Sequence, residues 1–203
     1  MGGVGKFPAV CETNRTHGEF LGKYRAALFL DDDVKLRFED VDRLFEMMST
    51  YKLEIAQPSL SAHSYSSWPI TLRRPAFRFR YTNFVEIMAP LFSAAALARC
   101  LPTFRKSASG WGLDLIWPAL LGYPRDAIAV IDEIEITHTR PVDPQHGRFY
   151  EYLRSLGIDA LEEAKILARE HGVERDYPTA EYGGVPTFLA WAGQTERCPT
   201  ATE

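Results

Sequence analysis

Ala26-Ala27-Leu28-Phe29-Leu30 is an apolar run that stops abruptly at Asp31-Asp32-Asp33. A short apolar run bounded by charge predicts a buried strand ending at Leu30. Behind it, Val41, Leu44, Phe45 and Met48 recur at helical spacing, so a helix is expected from about Glu39 with that stripe turned to the core. Glu54 to Leu60 reads as a second strand. The order strand, helix, strand predicts a parallel pair joined by a helical crossover, which places the chain in the α/β class. A helix or helical turn is expected from about Pro8 to Lys23, and strands at Ile70 to Arg73 and Ala76 to Tyr81. Phe84 to Leu91 has the pattern of an apolar strand interrupted only by Glu86. Ser93 is placed to cap a helix running to about Leu101, where Pro102 ends it. Gly110-Trp111-Gly112 predicts a turn ahead of a short helix from Leu113 to Leu121. Ile128 to Ile131 and Ile134 to Thr137 are the last strand signals, and Phe149 to His171 predicts a closing helix with Gly172 as its stop. These elements fit one domain over residues 1–172. Residues 173–203 are polar and dotted with proline, and are expected to form a loosely packed tail.

Composition narrows the partners. At 203 residues and 23.0 kDa there is room for one sizeable core. A net charge of −4 offers no general field for nucleic acid. Arg73, Arg74, Arg78 and Arg80 form one local basic cluster suited to phosphate or a sugar acid, or else the solvated face of a strand in which Phe77 and Phe79 alternate with them. Three widely spaced cysteines, Cys11, Cys100 and Cys198, predict neither a disulfide framework nor a zinc site. No apolar run reaches membrane-spanning length and the start lacks a secretory pattern, so a cytoplasmic protein is expected. The glycine-rich start ending in Gly5-Lys6 superficially resembles a phosphate loop, but Phe7 stands where Ser or Thr is needed and no strand precedes it.

The candidate chemistry centres on the aspartates. Three carboxylates at the end of a buried strand require a positive partner, and ligands of open α/β sheets collect beyond the carboxyl ends of strands. Alternation turns Asp31 and Asp33 to one side and Asp32 to the other, giving an Asp-x-Asp pair of hard oxygen donors suited to Mg²⁺ or Mn²⁺. The competing reading is a helix N-terminus, which also favours Asp. Glu86 is expected to face the same cleft or a buried arginine, because an unpaired carboxylate among Phe84, Val85, Ile87 and Met88 is costly. Trp111 is suited to stacking on a sugar. Asp114 either meets a ligand approaching the glycines or serves as a first-turn helix carboxylate. His138, between Thr137 and Thr139 after an apolar strand, could give a neutral nitrogen to a metal.

Taken together, Phe29-Leu30-Asp31-Asp32-Asp33-Val34, Leu53 to Leu60, Phe84 to Ser93 and Gly110 to Asp114 resemble, in order and spacing, the domain-of-unknown-function family 707. The resemblance runs from about Phe7 to Pro141. That family is itself similar to nucleotide-sugar glycosyltransferases of the A-type fold. The resemblance therefore implies a three-layer sandwich around a mixed, mostly parallel sheet, and sugar transfer from a nucleotide-sugar donor to a carbohydrate or other hydroxyl acceptor. It further implies that Asp31 and Asp32 lie on the nucleotide side, that Asp33, with Asp31 and His138, holds Mn²⁺ or Mg²⁺, and that Asp114 is the catalytic carboxylate. Glu86, Trp111 and Arg73 are the expected substrate contacts. A carboxylate base that takes the acceptor hydroxyl's proton while that hydroxyl attacks from the face opposite the leaving group implies inversion at the anomeric carbon.

In one respect the chain departs from the pattern. A-type transferases place a nucleotide-binding strand and helix ahead of the Asp-x-Asp, yet thirty residues precede Asp31 here. A truncated sequence or a non-catalytic, carbohydrate- or partner-binding relative is therefore the main alternative. Asp31 to Val34 also satisfies the Asp-x-Asp-x-Val opening of haloacid-dehalogenase-type phosphohydrolases, with Asp31 as nucleophile and Asp33 as general acid/base. That reading needs a second acidic cluster, for which only Asp132-Glu133 is available.

Overall fold

The side-chain alternation of the central strands decides the layering. The computed structural model describes residues 5–174 and 178–187, so the first glycines and the last part of the tail, Cys198 included, lie outside the described residues. Strand β3 (Ile55–Leu60) is buried at every position and β6 (Ile128–His138) at most of them. Strands covered on both faces require helices on both. Ile55 and Ile128 join Phe92, Phe104, Leu113, Ile116 and Trp117 in the larger core, formed with α1 (Lys6–Thr16), α3 (Ala94–Cys100) and α4 (Leu113–Leu120). Their neighbours Ala56 and Ala129 face the other way, against Leu44, Met47 and Met48 of α2 (Glu39–Thr50).

The sheet is mixed and mostly antiparallel, which corrects the mostly parallel sheet expected from the sequence. Its order is β1-β5-β3-β6-β4-β7, with β1 at Ala26–Leu28, β5 at Leu91–Ser93, β4 at Phe77–Thr82 and β7 at Glu181–Pro186. A seventh strand, β2 (Val34–Lys35), pairs with the far end of β6. Among the described residues β3/β6 is the one parallel ladder; the other ladders, β1/β5, β3/β5, β2/β6, β4/β6 and β4/β7, are antiparallel. Helix α2 does connect β1 to β3, and the two run the same way, but β5 is inserted between them. Periodicity identifies strands; it carries no information about which strand lies beside which.

Other elements shift for identifiable reasons. Residues 83–90 form a loop, not the apolar strand predicted, so Glu86 sits in a turn before β5. Ile70 belongs to a short 3-10 turn, Pro69–Thr71, and α1 stops at Thr16, leaving a second such turn at Phe20–Lys23. The two strand signals near residue 130 are one long strand, β6, whose register against β3 shifts between Pro58 and Ser59. The closing helix is two: α5 (Arg148–Ser155) and α6 (Ala160–Glu170), broken at Gly157 with φ +75° and restarted by Asp159, whose carboxylate accepts from Leu161 N at 2.8 Å and Glu162 N at 3.0 Å. Part of the expected loose tail, β7, hydrogen-bonds to β4 as an outer strand. No helix among the described residues is long and apolar enough to cross a membrane.

The arginine cluster serves the sheet. Arg80 is buried and donates to Asp132, itself buried, at 2.8 Å and to Glu181 at 2.6 Å, joining β4, β6 and β7. Arg78 pairs with Glu133 at 2.7 Å and Arg74 with Glu181 at 2.9 Å.

Candidate functional site

Beyond the end of β1 the backbone keeps its antiparallel partner for three more residues: Phe29 N donates to Pro90 O at 3.0 Å and Asp31 N to Met88 O at 2.9 Å. The aspartates then turn, with Val34 N donating to Asp31 O at 3.3 Å, and the chain enters β2. Because Val34 pairs with His138 in that ladder, Asp33 is delivered beside the end of β6. Thr139 fixes it there, donating its N–H and its hydroxyl to Asp33 O at 2.9 Å and 2.8 Å. The result is a contact of 3.3 Å between Asp33 Oδ1 and His138 Nε2.

The other edge of that imidazole fixes its tautomer. His138 Nδ1 lies 3.0 Å from Tyr65 O, and a carbonyl only accepts, so Nδ1 carries the hydrogen. A bare Nε2 lone pair would then face a carboxylate, which is repulsive; a proton or a metal ion on Nε2 makes the contact attractive. A ring nitrogen anchored on a backbone carbonyl, leaving the other free toward a carboxylate, is the usual arrangement of a ligating histidine. Asp31 is differently placed. Its Oδ1 is 2.6 Å from Lys6 Nζ, which also donates to Ile87 O at 2.5 Å and Met88 O at 3.3 Å. Burial raises the Asp31 carboxyl and lowers the Lys6 ammonium from their ordinary pKa values, while their mutual attraction works against both shifts. That leaves Asp33 and His138, in contact with each other, as the two candidate metal donors, and among the described residues no group of three or more His, Cys, Asp or Glu is arranged to hold a metal.

All of these groups open on one cleft of about 1070 Å³, which Glu86, Trp111, Asp114 and Tyr150 also line. Asp114 stands in the first turn of α4, where Oδ1 accepts from Leu115 N at 3.0 Å. Burial pushes its carboxyl up to about 7 in spite of the surrounding backbone N–H groups. Glu86 is buried with its Oε2 unpartnered, and burial, then the charges of Asp114 and Asp31, push it up to about 8. Trp111 donates its indole N–H to Tyr150 OH at 3.0 Å, with the rings edge to face at 5.8 Å between centroids. The glycines flanking Trp111 serve packing: a Cβ on Gly112 would lie 2.7 Å from Ala164 Cα, so α4 and α6 touch there.

Asp31, Asp33, Glu86, Trp111, Asp114 and His138 are therefore brought together. Asp32 lies at the rim, 87% exposed, with Arg140 at 3.8 Å. Arg73 is outside the cleft; it donates to Asp132 O at 3.1 Å and pairs with Glu135 at 3.6 Å. Asp132 and Glu133 are bound to arginines of the sheet, so neither supplies the second acidic cluster that a haloacid-dehalogenase-type site needs.

The order of these segments along the chain agrees with a known pattern. Residues 14–147 match the family described as Protein of unknown function (DUF707). The chain belongs to this family. The DUF707 match starts after Lys6 and ends before Tyr150, so it holds both aspartates, Glu86, Asp114 and His138. No curated protein matches the chain. Lys6, Arg140, Arg148 and Tyr150 are among the cleft residues that sequence reasoning missed. Lys6 was set aside with the phosphate-loop pattern, and Tyr150 carries no local signal beyond its place on an amphipathic helix.

Proposed function

We propose that this DUF707 protein is a metal-dependent glycosyltransferase of the A-type fold, moving a sugar from a nucleotide-sugar donor to a hydroxyl acceptor. The observation that carries this reading is the Asp33–His138 pair, set 3.3 Å apart in a cleft that also holds Asp114. Two protein donors suit Mg²⁺ or Mn²⁺, ions that complete their shell with substrate phosphates and water. A cation bound there supplies positive charge to the departing nucleoside diphosphate. Arg140 and Arg148, on the same lining, add to that field. Asp114 accepts the proton of the acceptor hydroxyl as its oxygen bonds to the anomeric carbon. The bond from that carbon to the diphosphate oxygen breaks at the same time, and the electron pair leaves with the diphosphate. Attack from the face opposite the leaving group inverts the anomeric centre. A cleft of about 1070 Å³ is at the upper end for small-molecule sites, as a donor and acceptor together require.

Thermal unfolding with UDP and GDP, each with and without Mn²⁺, tests the reading, since a ligand that binds the folded state raises its apparent stability. A metal-dependent rise in Tm, lost in Asp33→Ala, is expected; no shift with either nucleotide sinks the proposal. One observation favours a second reading, a cleft that binds without turnover: the Lys6 ammonium already neutralises Asp31. Nucleotide-sugar binding with no nucleoside diphosphate released would select it.

A further inference from the structure

Among the described residues, Glu86 is the cleft carboxyl with a fully buried oxygen that has no hydrogen-bond partner. Its residue is 5% exposed and Oε2 has no hydrogen-bond partner, yet the side chain lines the cleft. The other acidic groups are engaged: Asp31 by Lys6, Asp33 by His138, and Asp114 by the N–H of Leu115. The loop that carries Glu86 is also held firmly. Its N–H donates to the buried Gln57 Oε1 at 2.5 Å, and the carbonyls of Ile87 and Met88 accept from Lys6. A polar atom kept in a buried place without a partner destabilises the fold, so its retention points to a partner that arrives from the cleft.

The surroundings define that partner. Burial and the charges of Asp114 and Asp31 push the Glu86 carboxyl to about 8, so near neutral pH it holds a proton and donates a hydrogen bond. An anionic group next to it would meet the carboxyl of Asp114, and the cation that faces Glu86, Lys6, is already paired with Asp31 at 2.6 Å. We infer that Glu86 Oε2 contacts a hydroxyl of a neutral sugar seated in the cleft and makes Glu86 a specificity-determining residue that rejects uronates. The inference rests on reading the cleft as a sugar site, and it divides the ligand into an anionic part near Asp33, His138 and Arg140 and an uncharged part over Glu86.

The test uses the full chain labelled with ¹³C at the glutamate carboxyls, the Glu86 resonance being the one absent from Glu86→Gln. Methyl glucoside, galactoside and mannoside are titrated alongside glucuronate. Movement of the resonance by at least one neutral glycoside and not by glucuronate is expected; no movement with any glycoside, or equal movement with glucuronate, overturns the inference. Glu86→Leu supplies a ligand-free measurement. A Tm above wild type is expected, because the unpartnered oxygen is gone; a lower Tm would mean that Glu86 is held for structure and also overturns it. The UDP and Mn²⁺ shift is read on the same samples. Loss of that shift with an intact glycoside response would remove the transferase reading alone.

Discussion

Replacing Glu86 by Gln should make the protein's stability far less dependent on pH. In the folded chain the carboxyl ionises at about 8, chiefly because burial disfavours its charge, against an ordinary 4.5 when unfolded. Below pH 4.5 both states hold the proton and the contribution to stability is complete. As pH rises the unfolded chain ionises first, so stability falls until the folded carboxyl also ionises near pH 8, and is level above that. At ~1.4 kcal/mol per pH unit, the span from 4.5 to about 8 corresponds to a loss on the order of 5 kcal/mol. Asp114 drifts in the same sense over a lower range, since burial lifts its carboxyl to about 7. Glutamine keeps the shape and removes the ionisation. Urea unfolding of wild type and Glu86→Gln at intervals from pH 5 to pH 9 should therefore give curves that nearly coincide at the acid end. They should separate progressively, with the variant the more stable by about 5 kcal/mol at the alkaline end. Parallel stability profiles across the range would refute the reasoning, because they would mean that Glu86 ionises alike in both states.

Further outcomes follow from the same geometry. Arg80→Met should destabilise the fold by about 3–5 kcal/mol, seen as a lower urea midpoint, because it leaves the fully buried Asp132 without its counter-charge. Lys6→Met should tighten Mn²⁺ binding, measured by the loss of free-ion signal in electron paramagnetic resonance, because it removes a like charge from the cleft and leaves the Asp31 carboxylate without its counter-ion; unchanged or weaker binding would show that Lys6 does not compete. If the chain transfers sugar, kcat/KM should rise with pH through about 7 as Asp114 ionises. Asp114→Asn should then lower the rate by about 100-fold or more and abolish that limb of the profile.

The sequence alone determined the elements whose cause is local. The apolar run before Asp31, the stripe of Leu44 and Met48, the Ser93 cap and the turn at Gly110 and Gly112 each depend on residues within a few positions, and each is present, although the strand before Asp31 is a half-buried edge strand that stops at Leu28 and not the buried strand to Leu30 that was expected. The sequence also marked Asp31, Asp33, Glu86, Asp114 and His138, because polar residues placed inside or at the ends of apolar runs are visible without a fold. Tertiary structure decided everything that depends on neighbours distant in sequence. The insertion of β5 between β1 and β3 made the sheet mostly antiparallel, and the pairing of β2 with β6 set Asp33 against His138 across more than a hundred residues of chain. It also separated Arg73, and the other arginines of its cluster, from the cleft by matching them to acidic partners on the sheet. Lys6 and Tyr150 joined the cleft from the two sides of the family match. Side-chain alternation and helical spacing report which face of an element is buried, whereas the partner it is buried against is fixed only when the chain closes on itself.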